Sequence, residues 1–181
     1  MASRPLDRPS VLAPFALVMG LFAAGCGDVQ SNPGPSEANP LDAEESALIA
    51  GLNKLRAGAG ITTPVLVCAS LNVSAAAHAD DMRDNAYLSD TGQDGSTPRS
   101  RGCAAGYKPA CDTTTTAMAE TVASGIVSGT QTLPQWEKDE KTKELLLNPA
   151  LSVVGIGRAI QGDVPTWAMD LASSDDASCS K

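Results

Sequence analysis

The 181-residue chain holds a single histidine, His78. Zinc centres are built chiefly from Cys and His, so a histidine-based zinc site cannot be assembled from one imidazole. No Cys-x-x-Cys occurs, which removes the zinc ribbon and the thioredoxin-like dithiol. No Gly-x-Ser-x-Gly occurs either, and with it goes the nucleophile elbow of the α/β-hydrolases. No metal or cofactor is therefore expected. Positive charge is scarce: 13 Lys and Arg against 21 Asp and Glu give a net charge of -8. Nothing forms the basic stripe that nucleic acid requires, and attraction to anionic headgroups is excluded on the same ground. A membrane-spanning helix needs roughly 20 consecutive apolar residues. The apolar run over residues 11–24 is shorter and is broken by Pro14 and Gly20.

That run is instead the centre of a secretory signal. Arg4 and Arg8 precede it, and the small residues Ala23-Ala24-Gly25 close it in front of Cys26, the order of an exported leader. Bacterial lipoproteins resemble Leu-Ala-Gly-Cys at this point, where the cysteine thiol takes a diacylglyceryl group before cleavage. Here Ala23 stands in place of the large aliphatic residue, with Leu21 nearby. The reading is a signal peptide over residues 1–25 with lipid on Cys26; ordinary cleavage after Ala24 or Gly25, leaving a free thiol, is the alternative. Five cysteines are an odd number for an oxidising compartment. Lipid on Cys26 leaves Cys68, Cys103, Cys111 and Cys179, enough for two disulfides outside the cytoplasm. Cys103 and Cys111 flank Gly106 and Pro109 and are expected to close a short loop, which leaves Cys68 for Cys179, though four cysteines allow three pairings. Residues 27–40 are rich in Ser, Asn, Pro and Gly, too polar to bury much surface, and read as a flexible tether. The expected organisation is a leader over residues 1–25, a lipidated and tethering stretch over 26–43, and one domain over 44–181. It is held by lipid at the cell envelope, in the periplasm or at the cell surface.

Within the domain, Asp42 and Glu45 have capping-box spacing ahead of Leu48, Ile49, Leu52 and Leu55, so a first helix is expected, stopped by Gly58 and Gly60. Val65-Leu66-Val67 is a short extended stretch or an apolar link. Ser70 is expected to cap a second helix with Leu71, Ala75, His78 and Met82 on one side. Residues 89–112 read as a long polar loop. Met118, Val122 and Ile126 recur every four residues and suggest a third helix, and Leu133-Pro134 introduces a fourth that carries Trp136 and runs to Leu147. Residues 153–160 and 166–172 are strand-like, joined at Gln161-Gly162-Asp163 by a hairpin turn. Helices first and a hairpin last give an α+β class.

The order of these landmarks resembles the CAP superfamily (cysteine-rich secretory proteins, antigen 5 and pathogenesis-related proteins) in its bacterial SCP-like branch. The series is Leu52-Asn53 and Arg56; Leu71, Ala75, His78-Ala79 and Met82; Asp94-Gly95; Arg99 or Arg101; Gly106-Tyr107; Glu120 with Gly125; Trp136; Asn148-Pro149; Gly155-Ile156-Gly157; and Trp167. The resemblance covers about residues 45 to 172. It implies a three-layer α-β-α sandwich around a central antiparallel sheet.

The departures bear on function. Many members of the family carry two histidines and one or two acids around a central cleft. The first histidine's position falls on Asp90 here and the second's on Thr142, and the family's Glu-Asn pair has become Glu120-Thr121. Asp90, Glu120 and Thr142 are thus the expected cleft positions. Two readings follow. In one, the domain is a non-catalytic module that binds a peptide, lipid, glycan or protein. In the other it is a degenerate hydrolase in which Glu120, with Asp90 or His78, acts as general acid or base. His78, on the apolar face of its helix, is expected to be a packing residue.

Overall fold

The computed structural model describes residues 40–112 and 116–180. The leader, Cys26 and the tether to residue 39 lie outside the described residues. Helix α1 (Ala43–Gly58) opens the domain, and the Asp42/Glu45 capping box forms: Asp42 accepts from the Glu44 and Glu45 amides while Glu45 reaches back to the Asp42 amide. After β1 (Leu66–Cys68) come α2 (Ala69–Asp84), α3 (Pro98–Ala104), α4 (Lys108–Cys111) and β2 (Met118–Ser124). Then follow α5 (Gly129–Trp136), α6 (Glu140–Leu146), β3 (Val153–Gln161), β4 (Val164–Ala172) and β5 (Cys179–Ser180). The strands form one sheet in the order β2-β4-β3-β1-β5. The sheet is mixed: β1 runs parallel to β3, and every other pair is antiparallel. Both disulfides are present, Cys68–Cys179 and Cys103–Cys111. The first ties β1 to β5, and the second ties α3 to α4.

Four expectations need correction, each for a local reason. Residues 118–124 are a strand, because Met118 and Val122, four apart, share a face in a strand as well as in a helix; full pairing with β4 decides between them. The stretch 89–112 is not all loop: Thr97 and Ser100 build a capping box with Pro98 in the first turn of α3. The expected fourth helix is two, because Asp139 accepts from the Thr142 amide and starts α6 afresh. Ser70 does not cap α2. Pairing of β1 with β5 fixes the chain through Cys68, and the Ser70 hydroxyl meets Ser178 instead.

The two faces of the sheet are covered differently. Val154 and Ile156 of β3 and Trp167, Met169 and Leu171 of β4 join Leu48, Ile49 and Leu52 of α1, Leu133 and Trp136 of α5, and Leu146 of α6 in one apolar cluster. The other face carries α2, which lies unusually close. A Cβ on Gly155 would sit 2.2 Å from Leu71, and one on Gly157 would sit 2.1 Å from the Ala76 nitrogen, so glycine is the residue that fits. Asn72 of α2 accepts from the Ile156 amide. That bond satisfies a β3 donor beyond the end of the β1 pairing. Arg56, buried, donates to the Leu146 and Asn148 carbonyls and fixes the C-terminal end of α6 to α1.

Candidate functional site

Ser74, His78, Glu120 and Asp170, all buried, come together on the α2 face, apart from the buried Glu45, Arg56 and Thr132 of α1 and α5. Glu120 of β2 stands directly opposite Asp170 of β4 in the antiparallel register, so both side chains rise on the same face. Ser74 and His78, one turn apart on α2, descend from above, and Arg101 of α3 enters from the side. Arg101 Nη2 donates to Glu120 Oε2 at 2.7 Å, and His78 Nε2 lies 3.4 Å from the same oxygen. The side chains of Glu120, His78 and Arg101 are 0%, 1% and 11% exposed, and Asp170 is fully buried.

His78 Nε2 also lies 2.8 Å from the Ser89 carbonyl oxygen. A carbonyl only accepts, which assigns the ring proton to Nε2 and leaves a lone pair on Nδ1. Burial lowers the His78 pKa; the bond to Ser89 works against that shift, and the Arg101 charge adds to it. The ring is neutral, and its Nε2 is a donor that cannot take a proton. Burial and the neighbouring Asp170 raise the Glu120 carboxyl far above the ordinary carboxylate range, against the pull of Arg101. Burial raises Asp170 as well, with Ser74, Arg101 and Glu120 pulling it back. The Ser74 hydroxyl acts on Asp170 from nearby without meeting hydrogen-bond geometry.

Asp90 is exposed. It is the backbone oxygen of Asp90 that receives Arg101 Nη2, while its carboxylate accepts from Thr91. Thr142 sits elsewhere, in the first turn of α6, lining a cavity of about 440 Å³ with Leu88, Val122, Trp136 and Asp139. The fold thus brings Glu120 to His78 and to the Asp90 backbone, and not to Thr142. Sequence reasoning overlooked Asp170 and Ser74. Their signal was present in Asp170 itself, one acid within the apolar run Trp167-Ala168-Met169-Asp170-Leu171.

A separate cavity of about 830 Å³ runs between α1 and α5. Ala47, Ala50, Gly51, Leu55, Leu133 and Pro134 line it, and Lys54 and Glu137 add charge. No helix among the described residues is long and apolar enough to cross a membrane.

The sequence model of the cysteine-rich secretory protein family (CAP) matches residues 49–171. No curated protein sequence matches the chain. Among solved structures, an outer surface protein of Borrelia burgdorferi is similar with a TM-score of 0.61 and 18% identity, over 76% of this chain and 99% of that one. An extracellular protein with an SCP domain from Bacillus anthracis gives 0.54 and 18%, over 73% of this chain and 44% of that one. A cysteine-rich secretory protein from Staphylococcus aureus gives 0.51 and 15%, over 75% and 41%. The match thus takes in less than half the length of the last two and nearly all of the first. At these identities the likeness is one of fold.

Proposed function

Because the chain belongs to the cysteine-rich secretory protein (CAP) family, we propose that it is an extracytoplasmic, lipid-anchored member that binds rather than catalyses. The observation that carries this is the closure around Glu120. One of its oxygens is held by Arg101 beside His78, the other faces the interior, and its side chain has no exposed surface. A general acid or base must reach the proton it transfers, and here the reacting atoms are walled in by the fold. The hydrolase reading meets its proximity condition, since His78 is 3.4 Å away. It lacks exposure of Glu120, since the nearby cavity of about 280 Å³ is lined by His78 and Arg101 and not by Glu120, and it lacks a histidine nitrogen able to accept a proton on that side. The larger cavity between α1 and α5 offers an apolar concavity with a charged rim, the character of a ligand pocket.

Placement outside the cytoplasm draws support from the leader pattern before Cys26 and from two disulfides in a small domain. It also fits the outer-surface and extracellular character named for two of the similar structures. The test is hydrolysis of ester, peptide and glycoside substrates by the purified protein beside Glu120→Gln. The binding reading expects no turnover in either. Turnover in the wild type that is lost in Glu120→Gln contradicts it. Cys26→Ser tests the anchor by mass: a processed wild type heavier than the variant by a diacylglyceryl-containing group is expected, and masses equal apart from the substitution would exclude lipid.

A further inference from the structure

Residues 89–97, the later part of the 85–97 connection between α2 and α3, are fastened to the buried cluster by two side chains. His78 donates to the Ser89 carbonyl. Arg101 donates to the Asp90 carbonyl and, through its other terminal nitrogen, to the Ser96 carbonyl and hydroxyl. Arg101 is oriented in turn by Glu120. The segment is a strap, and its fastening depends on what lies beneath it.

What lies beneath is short of hydrogen-bond donors. Among the described residues, seven buried side-chain nitrogens and oxygens have no protein partner, and all but the Arg56 Nε belong to this cluster. Of those six, His78 Nδ1, Glu120 Oε1 and both oxygens of Asp170 are acceptors, Arg101 Nε is the one donor-only atom, and Ser74 Oγ can do either. Buried polar atoms are nearly always paired, so a concentration of this kind marks a missing donor. The charges agree. Two carboxyl groups face one guanidinium, the imidazole is neutral, and an unpaired buried charge is neutralised rather than kept. A proton on the pair supplies both a donor and the missing positive charge, and the two carboxyls rise opposite one another on the same face of the sheet.

We infer that residues 89–97 form a proton-latched strap: one proton shared by Glu120 and Asp170 keeps the cluster closed with Arg101 docked, and its release to water lets the strap lift. With the strap up, water reaches Arg101 and Glu120 and both carboxyls ionise. The open state therefore binds one proton fewer, and opening grows with pH. The other groups that face the cluster are His78 and Asp81 of α2, Tyr87 beyond its end, Asp90 and Asp94 on the strap, Arg101 of α3, and Tyr107, which burial and nearby acids including Asp170 keep protonated. Between pH 7 and 9 the His78 ring is already neutral, its pKa being lowered by burial, and the Tyr87 hydroxyl, pushed up to about 12 by burial and Asp81, stays protonated.

The single histidine supplies the probe. Its Nε2 proton is the one held by the Ser89 carbonyl, and its ring resonance has no counterpart in the chain. Solvent exchange of that proton is measured in the intact protein from pH 7 to 9 and corrected for the intrinsic pH dependence of exchange, with α1 amides as an internal reference. Protection of the ring proton is expected to fall about tenfold per pH unit, the slope of one released proton, while α1 protection stays constant. In Asp170→Asn the amide N–H takes the place of the shared proton, and the slope is expected to vanish; Glu120→Gln gives the same test if the first variant does not fold. A flat wild-type profile, an unchanged slope in the variant, or an α1 slope equal to that of the ring proton would overturn the strap.

Discussion

The two faces of the sheet are built on opposite principles. Beneath α1, α5 and α6 one large apolar cluster covers the sheet, Arg56 is held at its edge by the Leu146 and Asn148 carbonyls, and two tryptophans turn their indole N–H groups to the Val122 and Ile126 carbonyls. Beneath α2 and α3 apolar clusters around Leu71 and around Ala75, Ala79 and Met82 flank a polar centre, in which the Glu120 and Asp170 carboxyls, the His78 imidazole and the Ser74 hydroxyl are buried and the Arg101 guanidinium reaches in from the rim. An apolar face is stabilised in proportion to area and is indifferent to pH. A polar face holds only when every charge is matched, so its stability depends on protons. One domain carries both kinds of face, which lets substitutions on one serve as controls for the other.

The largest expected effects come from breaking the close packing of either face or from stripping the buried carboxyls of their guanidinium. Gly157→Ala would place a methyl 2.1 Å from the α2 backbone, and lifting α2 from the sheet is expected to cost about 3 kcal/mol or more, read by denaturant unfolding. On the apolar face Leu52→Ala is expected to cost about 2–5 kcal/mol, equally at pH 5 and pH 8. Arg101→Met is expected to cost about 3–5 kcal/mol near neutrality, where it strips Glu120 of its partner. That loss shrinks at acid pH as the Glu120–Asp170 pair takes up its second proton. Equal losses at both pH values would erase the distinction between the faces.

Asp170→Asn sharpens the comparison with a smaller change. The Glu120 and Asp170 carboxyls are both raised in the fold, mainly by burial, so the folded form holds protons that the unfolded chain releases. The stability this protonation supplies is complete below the ordinary carboxylate range and is lost as pH rises through the folded values. The variant is expected to match the wild type at pH 4 and to exceed it by about 1–2 kcal/mol at pH 8, one raised pKa unit corresponding to roughly 1.4 kcal/mol. His78 works in the opposite sense: its lowered pKa supplies stability above its ordinary value, lost as pH falls through the folded one. Smallest of all is Gly51→Ala. Its added methyl meets only the end of the Leu133 side chain at 3.2 Å. A gain in helix propensity of about 1 kcal/mol offsets that contact, and the thermal midpoint is expected to stay within a few degrees of the wild type.

The apolar face was the more legible one in the sequence. Leu48, Ile49 and Leu52 announce α1, and Gly162-Asp163 between two apolar runs announces the β3–β4 hairpin, because local spacing alone carries both signals. β2 was misread because a spacing of four satisfies either period, and only its partner strand, some fifty residues later in the chain, decides. The polar face was hidden for the same reason. Glu120 and Asp170 meet through strand register, and Arg101 reaches them from a helix whose start is signalled only by Thr97 and Pro98. The resemblance to the family pointed to Glu120 as a cleft acid beside Asp90 and Thr142. The fold instead gives it Arg101, His78 and Asp170 as companions.

On this reading Glu120 serves the fold through a proton held with Asp170. Carboxyl-carbon NMR of the two side chains, recorded in the intact protein from pH 3 to 10, measures that directly. The expected result is one proton still shared by the pair at pH 7, with its loss appearing as a coupled transition of both carbons above neutrality. Two independent transitions near pH 4, leaving both groups ionised at pH 7, would contradict it.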